Sequence, residues 1–250
     1  MNIFYSLSYY WNEIMLCAHL LLMALVLGIS YCWSRTALML CFVLCMLLAN
    51  IFLQEEIHLL GMHVTPVEVY TIAGIVALNL LQQKYGRAVA QKAIYLGFFA
   101  LLVWVMAACC HLSYQVSSGW QENAMAYQRL FAPSWRIVAA SIVAYLISTH
   151  AEVRLFSWCQ QRFYQRFLGL RFLLTVCLVQ AIDTTVFGVV GLLGLGFDLV
   201  EVMLFSYCVK CLVALGYSPF ISWIQKIEQR RITWILNLKS YISPHDQKLV

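Results

Sequence analysis

Asp183 and Lys210 carry opposite charges inside long apolar stretches of the chain. Asp183 lies in "LVQAIDTTVFGVV" (178–190), with Arg171 the nearest basic residue before it and Lys210 the nearest after it. A charge at the bilayer centre costs roughly 2.5–3.5 kcal/mol on insertion scales, so such groups face a bundle interior or a water-filled cavity. Paired with Lys210, the carboxylate can stay ionised, and an ionised carboxylate accepts two parallel N–H bonds from a flat, amidine-like edge. Gln180, Asp183, Thr184 and Phe187 follow at i, i+3, i+4 and i+7, one face of a helix. Ser206, Tyr207 and Lys210 form a similar stripe. Amide, carboxylate, hydroxyls, ammonium and aromatic faces together are what a planar polar heterocycle needs. The plainer alternative is a pair that only fixes helix register, and a buried pair is weak evidence for stability.

The elements that must hold these groups follow from composition. The chain has 250 residues, 63% hydrophobic and 11% charged, against about 25% charged in a soluble domain. Apolar runs recur from residue 14 to residue 223. About 20 apolar residues cross a hydrocarbon core, and that ruler predicts spans at 13–33, 36–54, 64–83, 92–112, 135–157, 170–193 and 199–223. The third, "VTPVEVYTIAGIVALNLLQQ", fits worst, because it holds Pro66, Glu68, Asn79 and two glutamines. Asp183 lies about 18 Å into span six from one side and Lys210 about 16 Å into span seven from the other. On consecutive antiparallel helices the two meet near mid-membrane. Gly188, Gly191 and Gly194 follow the Asp183 face and allow close helix approach.

Charge placement orients the bundle. With the N-terminus outside, thirteen of the sixteen Lys and Arg residues fall on the inner side, among them Arg35, Lys84, Arg87, Arg154, Arg166, Arg171 and Lys248. Arg129 and Arg136 fall outside, beside Glu55, Glu56, Glu122, Asp198 and Glu201, and Lys210 falls in the membrane. The positive-inside rule therefore predicts seven spans, N-terminus out and C-terminus in. Residues 1–223 read as one transmembrane helical bundle and 224–250 as a basic cytoplasmic tail, either an interfacial helix or frayed. The run after residue 13 is long enough to span rather than to act as a cleaved signal.

Weaker polar signals lie near span ends. Asn50 sits near the outer end of span two, Asn79 and Gln83 near the inner end of span three, and Glu152 near the inner end of span five, with His150 beside it. Each lines a cavity or is hydrated at the interface. Trp104, Trp135, Trp158 and Trp223 read as rim anchors. Ten scattered cysteines read as reduced, small hydrophobes. Cys208-x-x-Cys211 has a redox or metal spacing but lacks a second ligand pair. There is no HExxH, no Asp-rich diphosphate motif, no G-x-S-x-G and no P-loop. The reading is therefore of a non-enzyme that needs no cofactor and no metal.

Five stretches together resemble the queuosine precursor transporter family, also called the vitamin uptake transporter family. They are "LLANI" (47–51), "LLQQKYGRAVAQKAIYLGFFALL" (80–102), "FAPSWRIVAASIVAYLIS" (131–148), "VQAIDTTVF" (179–187) and "SYCVKCLVAL" (206–215), ahead of Pro219. The resemblance implies an all-α integral membrane protein of six to seven transmembrane helices, similar to the substrate-binding membrane subunits of vitamin importers. It implies a bacterial inner (plasma) membrane location and uptake of a 7-deazaguanine base: 7-cyano-7-deazaguanine, 7-aminomethyl-7-deazaguanine or queuine. That base then serves tRNA modification, with no direct nucleic-acid contact by the transporter. The chain departs from the family pattern at Asn79 and Gln83, where an Asp and a Glu are usual, and at Thr149 and Glu152, where Gln and Asp are usual. Phe172 and Leu173 replace two asparagines. Gln180, Asp183, Thr184, Tyr207 and Lys210 keep the pattern.

On this reading Asp183 or Glu152 takes the N1–H and 2-amino edge of the base. Lys210, Gln180 or Asn79 addresses O6, and Tyr207 and Phe187 stack on the ring. Thr184 and Asn50 complete the candidate substrate-binding set. The partners are then the small base and the lipid bilayer, with a homo-oligomer left open. Two other readings compete: a membrane scaffold or assembly protein, for which Asp183 and Lys210 are dispensable, and a membrane-embedded lipid enzyme, which lacks a catalytic constellation.

Overall fold

A computed structural model describes residues 10–53, 55–59, 62–131, 135–162, 168–193 and 199–246. Gly194, Arg166, Asp198 and Lys248 lie outside the described residues. The helices are α1 (Trp11–Trp33), α2 (Arg35–Ile51), α3 (Glu68–Tyr85), α4 (Arg87–Leu112), α5 (Gln121–Phe131), α6 (Trp135–Arg162), α7 (Leu168–Phe187) and α8 (Leu199–Asp246). A short antiparallel hairpin, β1 (Ile57–Leu59) with β2 (Met62–Val64), joins α2 to α3. All seven predicted spans are helices, and the protein is an all-α integral membrane protein. Among the described residues, five helices are long and apolar enough to cross a bilayer, while α2 is apolar but shorter.

The chain breaks between helices have local causes. Ser34 alone separates α1 from α2. Its backbone N–H bonds Ser30 O, and its hydroxyl accepts from Ala37 N at 3.0 Å, so one residue ends one helix and caps the next. Lys84 Nζ donates to Tyr31 O at 2.9 Å and lies 4.0 Å from the centre of the Tyr31 ring. A cation thus satisfies a carbonyl in the last turn of α1. Gly86 separates α3 from α4 with φ +88°, a backbone that residues with a Cβ rarely adopt.

The third helix is the centre of the bundle, and its polarity is explained by that place. It packs against α1, α2, α4, α6, α7 and α8. Its buried residues are Glu68, Val69 and the continuous run Ile72–Gln82. Lipid touches little of it, so it need not be apolar. On α7 the two faces separate cleanly: Leu170, Leu174, Leu178 and Ile182 are exposed, while Phe172, Val176, Val179, Gln180 and Thr184 are buried. That i, i+4 division is what a helix between lipid and protein requires.

Several expectations need correcting. Span three does not start at residue 64. Glu68 and Val69, the first residues of α3, reach Ser206, Lys210 and Tyr217, in the middle of the apolar part of α8. α3 therefore begins inside the bundle rather than at its rim. The hairpin occupies the approach, with β1 against α1 and β2 against α8, Leu59 and Val64 buried, and Asn12 Nδ2 donating to His58 O at 2.7 Å. α5 was not anticipated. α8 continues unbroken from Leu199 to Asp246, so residues 224–246 are helical. α7 ends in a π-helical turn, Gly188–Leu192. Arg136 donates to Val190 O at 2.9 Å and to Leu193 O, satisfying carbonyls that the turn leaves open. This explains one of the two basic residues that violate the inside bias: its charge serves a helix end.

Candidate functional site

Asp183 and Lys210 meet. Lys210 Nζ donates to Asp183 Oδ2 at 2.8 Å and to Thr184 Oγ1 at 3.3 Å. The two helices run antiparallel side by side, and Gly169 near the other end of α7 lets that end approach α8. A Cβ there would come within 3.1 Å of Ser218 O. The sequence did not assign the third charge. Glu68 Oε2 lies 4.0 Å from Lys210 Nζ, and Ser206 Oγ donates to Glu68 Oε1 at 3.2 Å. One ammonium therefore serves two carboxylates, and Glu68 also sits in the first turn of α3, where the helix dipole favours an anion. Glu68 Oε2 has no hydrogen-bond donor. Gln180, one turn from Asp183 and Thr184 on α7, is buried with its Oε1 unpaired.

A second cluster lies further along α3. Asn79 is eleven residues beyond Glu68, about 17 Å down the helix. Its Nδ2 donates to Glu152 Oε1 at 2.7 Å, and the Thr175 hydroxyl lies against the same carboxylate. Glu152 is 0% exposed, and its Oε2 and the Oδ1 of Asn79 are unpaired. Gln82 Nε2 bonds Val153 O at 3.0 Å and Ser157 Oγ at 2.7 Å. Arg171 Nη2 donates to Gln83 Oε1 at 2.8 Å, and the guanidinium lies 5.0 Å from the Phe156 ring centre. Arg171 had been counted as an inner-loop charge. It is the fourth residue of α7 and buried at 2% exposure. The signal for it was available: Arg171 and Thr175 are i, i+4, and so are Glu152 and Phe156 on the facing helix.

The remaining candidates sit elsewhere. Tyr207 lies beside Cys211, one turn along α8, and is not among the side chains bonded in the Lys210 cluster. Cys211 Sγ lies 3.5 Å from Cys177 Sγ on α7, while Cys208 is exposed, so the CxxC pair does not converge. Phe187 is half-buried at the end of α7, close to where a Cβ on Gly191 would sit. Asn50 binds Met46 O and accepts from Ser141 Oγ at 3.1 Å, which ties α2 to α6 outside both clusters. His150 is bonded to Leu146 O within its own helix.

The fold thus buries two polar clusters along α3 and leaves carboxylate oxygens in both without donors. Within a lipid-embedded bundle, unpaired acceptors cost free energy unless water or a ligand meets them. That arrangement suits a passage for a small polar molecule. Comparison with known proteins agrees. Residues 69–224 match the family model described as "Putative vitamin uptake transporter". The chain is also 27% identical over 175 residues to a Bacillus subtilis (strain 168) protein named "Probable queuosine precursor transporter", covering 69% of this chain and 76% of that one. No solved structure matches. The matched segment takes in α3 from its second residue, the Asp183–Lys210 pair, the Glu152 cluster and the apolar part of α8, and the chain belongs to the vitamin uptake transporter family, as a multi-pass membrane transporter.

Proposed function

We propose that this transporter imports a queuosine precursor, a 7-deazaguanine base, across the bacterial inner membrane for tRNA modification. In this reading the N-terminus lies outside, residues 1–223 form the bundle and the basic tail from 224 faces the cytoplasm. One observation carries the proposal. Glu68 Oε2 and Glu152 Oε2 are buried carboxylate oxygens without donors, in two clusters spaced along one central helix. A base with an N1–H and a 2-amino group on one edge supplies the parallel donors that a carboxylate takes bidentately. The name of the B. subtilis relative supports the same substrate class.

The geometry changes the roles expected of individual residues. Asp183 already spends one oxygen on Lys210, so Glu152, held only by neutral groups, is the better acceptor for the base edge. The Glu68–Lys210–Asp183 cluster, with Thr184 and Gln180, lies where a base arriving past the hairpin first meets polar side chains. Asn79 holds Glu152 in place. Tyr207, Phe187 and Asn50 are left as wall residues. The test uses cells that cannot make the base and lack their own carrier. Fed micromolar 7-deazaguanine bases, they should place queuosine in tRNA only when this chain is expressed. Asp183→Asn should abolish that uptake while the protein still inserts. A scaffold protein would tolerate loss of both Asp183 and Lys210, and uptake at the normal rate in that double variant would discard the transport role of the pair.

A further inference from the structure

Arg171 is the least satisfied charged group described in the bundle. It is buried, and among the described residues its hydrogen-bond partner is the amide oxygen of Gln83 while its Nε and Nη1 have no acceptor. A guanidinium does not shed its charge, so those N–H groups remain donors. A buried donor without an acceptor is costly, more so when charged. The partners an Arg fork fits best present two acceptor sites side by side.

Glu152 lies close by. The facing pairs Glu152–Thr175 and Phe156–Arg171 are one helical turn apart, about 6 Å along the axis. A carboxylate oxygen needing donors and a guanidinium needing acceptors therefore lie one turn apart on the same α6–α7 seam. The polar groups that α3 adds there, Asn79, Gln82 and Gln83, are all neutral amides.

We propose that Arg171 reads the acceptor edge of the carried base, and that this site selects a neutral acceptor at the 7-position over an ammonium. The inference rests on the 7-deazaguanine reading above and deepens it. With N1–H and the 2-amino group on Glu152, O6 is the next atom round the ring and the 7-substituent lies beyond it. Arg171 donors then meet O6 and the substituent. A 7-cyano nitrogen is an acceptor and accepts the second N–H. A 7-aminomethyl group is an ammonium, which offers no acceptor and is repelled by the guanidinium. Glu152 is the one acid of this cluster among the described residues, and the base edge already occupies it.

Competition uptake of the two labelled bases, in a host lacking its own carrier, tests this. The wild-type chain should take up the cyano base at least about tenfold faster at equal low concentration, the scale of one uncompensated like-charge contact in a partly screened site. Gln83→Glu pairs Arg171 with a carboxylate and should pull the ratio towards one, mainly by raising aminomethyl uptake. Arg171→Gln should remove the preference by lowering cyano uptake. Should that variant fail to accumulate, the wild-type ratio and Gln83→Glu still decide. Equal uptake of both bases by the wild type, or an unchanged ratio in Gln83→Glu, overturns this inference and leaves the import reading standing. Uptake of neither base overturns this inference, and if queuine is not taken up either, the import reading with it.

Discussion

Lys210→Met removes the one cation shared by Asp183 and Glu68 and keeps the side chain's length. Its Nζ is 2.8 Å from Asp183, 3.3 Å from Thr184 and 4.0 Å from Glu68. Breaking a buried pair by deleting one partner costs about 3–5 kcal/mol, because the other charge stays buried and unpaired. Here the Asp183 side chain keeps 19% of its exposure, which relieves part of the penalty. The expected loss is near the lower limit, about 3 kcal/mol, or roughly a hundredfold in the folded-to-unfolded ratio. The measurement is thermal or denaturant unfolding of the purified protein in detergent, with the double variant Asp183→Asn/Lys210→Met completing a cycle. The double variant should recover only part of the stability, because Glu68 stays buried without its cation; adding Glu68→Gln should bring the protein to within about 1 kcal/mol of wild type, since neutral replacements carry no desolvation cost. Uptake should not recover. A Lys210→Met protein within about 0.5 kcal/mol of wild type would refute the account of a shared buried cation. A double variant that is stable and transports normally would reduce the pair to a register device.

Other outcomes follow from single side chains. Gln180→Leu should leave stability unchanged or raise it by about 1 kcal/mol, since it deletes a buried unpaired oxygen, and should still cut uptake if Gln180 meets the base. Asn79→Leu strips Glu152 of its 2.7 Å amide donor and should cost about 2–3 kcal/mol, read as a lower unfolding temperature. Gly74 on α3 faces Met46 and Cys45 of α2. Gly74→Ala should be tolerated through movement of the Met46 methyl, whereas Gly74→Leu should overpack the contact by about 1–3 kcal/mol and lower the yield of monodisperse protein. Arg136→Ala should free the Val190 and Leu193 carbonyls, costing about 1–2 kcal/mol and speeding amide exchange around Gly188–Leu192.

Much was legible from residue order alone. Hydropathy and length located the long helices, because a bilayer imposes one thickness on every span. An acid and a base at matching depth on consecutive helices had to be partners, because lipid offers no other counter-charge. Two features escaped for the same reason. The least convincing span by composition is the central helix, since hydropathy measures contact with lipid and α3 has little. Arg171 looked like a loop charge because it stands only three residues after the start of α7. Only the packing of α6 against that turn buries it beside Phe156.

Sequence by itself determined the class of protein, the order of its long helices, the polar face around Asp183 and the Asp183–Lys210 pair. Each of these depends on periodicity or on near neighbours along the chain, which order encodes directly. Tertiary structure alone decided that α3 starts inside the bundle, that Glu68 shares Lys210, and that Glu152 and Arg171 lie one turn apart between α6 and α7 with donors and acceptors to spare. Those facts depend on helix shifts and crossings, in which groups as far apart along the chain as Glu68 and Lys210, 142 positions, come within 4.0 Å. No local pattern in the chain records such a meeting, because it is set by how whole helices pack.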